Sequence, residues 1–94
     1  MNKREFTRKL SKTSKNVLRP LIPALGMHLR NEKAIHLKYI EEKCLWDIAE
    51  ELGVAYESAG NFLCQAREEM LCIMQDDYDI LPKDIQVLID KLLK

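Results

Sequence analysis

The chain has 94 residues, enough for one domain of four or five helices. Apolar residues make up 47 % and charged residues 32 %, a balance that excludes a disordered chain, and the formal net charge is zero. No apolar run approaches the roughly 18–20 residues that cross a bilayer, and the basic opening MNKREFTRKLSKTSK lacks a signal-peptide core, so the expectation is a cytoplasmic protein with no membrane role.

Pro20, Pro23 and Pro82 all lie outside residues 24–81, and the few aromatic and β-branched residues do not alternate. An all-α fold is expected, a small helical domain of four to five helices. Residues 1–19 read as a basic N-terminal arm. Phe6, Leu10, Val17 and Leu18 offer only the apolar stripe of a frayed helix, and Arg19-Pro20 marks a break because the residue before proline avoids the α region. The zero net charge hides a segregation. Residues 1–40 carry ten basic and two acidic residues, whereas residues 41–79 carry two basic and eleven acidic. An arm bearing Lys3, Arg4, Arg8, Lys9, Lys12, Lys15 and Arg19 has three readings. It neutralises nucleic-acid phosphates, it lies along the acidic face of its own domain or of a second copy, or it is a solvated tail.

Residues 20–94 are expected to form a single helical domain. Leu21–Leu29 reads as a short helix with Pro23 near its start. Asn31 is suited to cap a helix lined by Ala34, Ile35, Leu37 and Ile40 that ends near Lys43. The next helix runs from Leu45 to Leu52, with Leu45, Ile48, Ala49 and Leu52 at helical spacing, and Gly53 stops it. A long helix follows from Tyr56 to about Gln75, its stripe built from Ala59, Phe62, Leu63, Ala66, Met70, Ile73 and Met74. After the acidic turn 76–79, a last helix spans Pro82 to Leu93. Its face of Ile85, Leu88, Ile89 and Leu92 either closes the monomer core or pairs two chains, with Leu88 and Leu92 as contacts of a homodimer.

Two short amphipathic helices joined by a tight glycine turn make a helix-turn-helix, placed here at about residues 44–75. Ala49, Gly53 and Ala59 keep the crossing close, and Ile48, Leu52, Val54, Phe62 and Leu63 supply the contacts. The second helix is then available to enter a major groove by its N-terminal residues.

The segment LWDIAEELGV (45–54), its continuation through Ala59 and Leu63 to Ala66-Arg67 and Met70-Leu71, and the preceding IHLKYIE (35–41) resemble region 4 of bacterial sigma factors. The likeness covers residues 30–72. It implies recognition of promoter DNA and contact with RNA polymerase. Carried over by position, the base-facing residues are Tyr56, Glu57, Gly60 and Asn61, with Ser58, Gln65 and Arg67 as backbone contacts. Glu57 would accept from a cytosine amino group and Asn61 would pair with adenine; Tyr56 is a base or phosphate contact, or only a turn residue. The chain departs from the pattern where Cys44 and Ala55 replace the usual Ser or Thr caps. Arg67 is the one cation between residues 44 and 82. Trp46 stands where a polar residue is usual, and reads either as a protein-contact anchor or as half-buried under the N-terminal segment.

Little else suggests chemistry. Cys44, Cys64 and Cys72 lack paired spacing and read as reduced, partly buried thiols, with Cys64 at the edge of the core. His28 and His36 lie far from any cysteine pair, so no metal is expected, and no cofactor either. Glu50-Glu51 and Glu68-Glu69 read as solvated helix faces. No nucleophile stands beside a base, so an enzyme is not expected. Two functions remain. The first is a small regulator that binds double-stranded DNA. The alternative is a protein-interaction module that keeps the scaffold and binds RNA polymerase, a sigma factor or itself without reading DNA.

Overall fold

The first nineteen residues are not an arm. A computed structural model describes residues 1–93, and they form helices α1 (Lys3–Lys12) and α2 (Lys15–Ala24) from the start. Asn2 and Ser14 cap them, each side chain accepting from a backbone N–H of the first turn. Phe6 and Leu10 of α1 and Leu18 of α2 are each 1 % exposed, so the domain boundary expected at residue 19 falls inside one continuous core.

Helix α2 also runs through the break expected at Arg19-Pro20. Pro20 and Pro23 lie inside it, each removing an N–H the helix would use. Both face solvent, while Leu18, Leu21 and Ile22 of the same helix are buried. Burying each such side chain contributes about 1.5–3 kcal/mol, which outweighs the local propensity. The helix stops at Gly26, whose φ of +69° is left-handed.

Helix α3 (Leu29–Ile35) is capped by His28, whose Nδ1 accepts from the Arg30 N–H, and not by Asn31. It continues as a π-helical turn, His36–Ile40, which buries Leu37, Tyr39 and Ile40 together. Glu42, at φ +54°, then turns the chain into α4 (Leu45–Leu52) and α5 (Tyr56–Asp76). A 3₁₀ turn, Tyr78–Ile80, leads to α6 (Lys83–Leu93). The described residues are all-α, with no strand. Helix α5 is the strut on which α1, α3 and α4 pack, and α6 closes the far side against α1 and α2.

Helix α6 spends its stripe on that closure. Ile85, Ile89 and Leu92 are buried and Leu88 is half-buried, so of the two readings of this face, core closure or pairing of two chains, the first describes its place in the monomer. Val87 is the large apolar residue that α6 leaves outside. No helix among the described residues is long and apolar enough to cross a membrane.

Candidate nucleic-acid interface

The helix-turn-helix forms where its small residues stand. Gly53 takes φ +69°, its N–H bonds to the Glu50 carbonyl, and the Val54 N–H reaches back to the Ala49 carbonyl at 3.0 Å. This Schellman pairing satisfies the last carbonyls of α4 and turns the chain sharply into α5. Ile48, Ala49, Ala59 and Leu63 are buried at the crossing, while Leu52, Val54 and Phe62 are half-buried. Ala49 and Ala59, 4 % and 0 % exposed, hold the two helices close.

Both helices start without a side-chain cap on the backbone, as the residues at 44 and 55 imply. Cys44 donates its thiol to the Asp47 carboxylate at 3.4 Å instead. Ala55 offers nothing, so the α5 start relies on its dipole and on Glu57 in the first turn.

Tyr56, Glu57, Asn61 and Gln65 are exposed along the outer side of α5, and Ser58 is half-exposed. Gly60 does not share that face, since a Cβ built on it would meet Leu45 at 3.9 Å, toward α4. Trp46 is 68 % exposed and not covered by the N-terminal segment. It stacks on Tyr56, with ring centroids 4.2 Å apart and planes tilted by 30°. Two aromatic rings therefore sit where the two helices begin, with Asp47, Glu50 and Glu57 exposed on the same turns.

The basic residues divide into two sets. Lys3 pairs with Glu68 of α5, which holds its ammonium above the usual lysine pKa, mainly through the hydrogen bond. Lys15 pairs with Glu42 at 3.0 Å. Lys9 donates to the Leu93 carbonyl at 2.9 Å, capping the last turn of α6 with a cation where the helix dipole favours one. These three expected phosphate contacts are engaged within the domain, in keeping with a basic segment lying along its own acidic face. Arg4, Arg8 and Lys12 make no ion pair among the described residues. They recur every four residues and so form one exposed stripe along α1.

Arg67 is also diverted from the groove-facing side. It is half-buried, and its guanidinium donates to the Tyr39 hydroxyl at 3.4 Å. Nothing local in the sequence announces this pairing, which joins residues 28 positions apart. Glu68 and Glu69 are half-buried and paired within the domain rather than lying on a freely solvated face. Glu69 accepts from the His28 N–H at 3.0 Å and from the Asn31 side chain at 3.2 Å, which locks the start of α3 onto α5. Arg30 lies over the Phe62 ring, 4.9 Å from its centroid. The three cysteines are free thiols and exposed, not partly buried. No group of metal-ligating side chains occurs among the described residues.

No family model matches the chain, and no curated protein or solved structure is significantly similar to it.

Proposed function

We propose that this protein is a small cytoplasmic DNA-binding regulator built on a scaffold like sigma factor region 4. One observation carries the reading. The Schellman turn at Gly53 presents α5 outward with Tyr56, Glu57, Asn61 and Gln65 exposed, while Ala59 and Leu63 are buried at the crossing with α4. That is the arrangement a recognition helix needs to meet base edges. The stripe Arg4, Arg8 and Lys12 supplies the phosphate contacts that α5 lacks.

A mobility-shift series over promoter-like and random duplexes at low salt tests it. Specific binding lost in Glu57→Ala and Asn61→Ala supports the reading, and equal affinity of wild type and both variants overturns it. A second reading, contact with RNA polymerase or a sigma factor, draws on Trp46. A tryptophan 68 % exposed and stacked on Tyr56 has the form of an interface anchor. Trp46→Ala separates the two, since it weakens protein capture under this second reading while leaving the fold intact.

A further inference from the structure

The seam between α1 and α5 contains a cavity of about 190 Å³, of whose lining the DNA reading uses Arg4 alone. Phe6 and Leu71, 1 % and 8 % exposed, supply apolar wall. Lys3, Arg4, Thr7, Cys64 and Arg67 complete the lining together with Glu68. Glu68 is matched by Lys3, so the two guanidinium groups of Arg4 and Arg67 set the charge of the site. Arg67 makes one long hydrogen bond, to Tyr39, which leaves most of its five donors without a protein partner. An apolar cleft with convergent guanidinium groups is what a small amphiphilic anion requires. The volume is ample, since a cavity of about 150 Å³ holds a benzene ring.

We propose that this seam binds a small planar organic carboxylate. Its apolar body lies against Phe6 and Leu71, and its carboxylate meets the Arg67 guanidinium in a paired, charge-assisted contact, with Arg4 closing over it. The site is independent of whether α5 reads DNA. It makes Arg67 a ligand-binding residue, and it gives the chain a place where a metabolite bridges α1 to the recognition helix.

The test uses the full chain and three probes: benzoate, the uncharged benzyl alcohol and inorganic phosphate. Amide resonances of Phe6, Cys64 and Leu71 are followed by NMR, with saturation by benzoate expected in the roughly millimolar range typical of so small a ligand. Arg67→Gln and the exposed Arg4→Gln are each expected to weaken benzoate by about tenfold or more. Cys64 gives a readout in the unaltered protein. Bound benzoate is expected to slow alkylation of Cys64 while leaving exposed Cys44, outside the cavity, at its own rate. Saturable benzoate binding with that selective protection supports the proposal. Benzyl alcohol or phosphate binding as well as benzoate, an unchanged Cys64 rate at saturation, or no saturation at all overturns it.

Discussion

Two glycines of the helix-turn-helix are expected to respond to the same substitution with opposite sign. At Gly53, φ is +69° and an added Cβ meets nothing within 4 Å, so Gly53→Ala creates no clash and only forces alanine into the left-handed region. That conformation costs roughly 1–2 kcal/mol, offset in part by about 0.4–1 kcal/mol from a stiffer unfolded chain. The net expectation is a loss of about 1 kcal/mol. Gly60 lies inside α5, and a Cβ there sits 3.9 Å from Leu45, an ordinary van der Waals contact. Gly60→Ala should therefore stabilise by about 0.8–1 kcal/mol. For a domain of this size each kcal/mol moves the melting midpoint by about 4–8 °C, so the two variants should bracket the wild type and the double variant should fall near it. Urea unfolding with a constant m-value is the assay. A neutral Gly53→Ala, or a Gly60→Ala that destabilises, would refute the account of the turn.

The missing helix caps give a further stability test: Ala55→Ser, at φ −67° and ψ 154°, already has cap geometry and should stabilise by about 1 kcal/mol in the same urea assay. Leu92→Ala should cost about 2–5 kcal/mol without altering the sedimentation coefficient of the folded fraction, because Leu92 belongs to the monomer core. Replacing Arg4, Arg8 and Lys12 together by Gln should lower the salt slope of DNA binding by about 0.9 per lost phosphate contact, up to roughly three such contacts. Deleting residues 1–19 is expected instead to unfold the chain, as loss of the far-UV helical signal would show. Lys3 and Lys43 are raised by hydrogen bonds to Glu68 and Glu51, and Tyr78 by burial and its bond to Asp90. Each raised pKa adds stability that is present below its unfolded value and lost as pH rises through the folded one. Melting points should therefore fall from about pH 10 upward, and less steeply in Tyr78→Phe.

The middle of the chain was legible because its signals are local. Leu45, Ile48, Ala49 and Leu52 set the α4 face, Gly53 stopped it, and α5 ended one residue past the expected Gln75. The N-terminal third was misread where local and distant terms compete. Arg19-Pro20 argues for a break, yet Leu18, Leu21 and Ile22 gain their burial against residues far along the chain. The cap at His28 could not be separated from Asn31 by residue type, since Asn31 is the better capper but is taken by Glu69 of α5. Charge misled in a similar way. The basic count pointed to phosphates, but Lys3, Lys9 and Lys15 find acceptors 65, 84 and 27 residues away. Tyr56, Glu57, Asn61 and Gln65, singled out by the resemblance, are exposed, whereas the diversion of Arg67 to Tyr39 is a contact between elements that no spacing rule encodes.

The Lys9 contact with the Leu93 carbonyl has a bearing on the order of synthesis. Helix α1 is synthesised roughly 70 residues before α6. At about 5–20 residues per second that is an interval of several seconds, up to some 14 s. Until the end of it Phe6 and Leu10 lack α6 to cover them, and for most of it α5 is incomplete, while α1 is a cationic amphipathic segment beside a polyanionic ribosome. Closure of the core over α1 therefore waits for the last helix, and the nascent chain carries the apolar face of Phe6 and Leu10 uncovered for most of its synthesis.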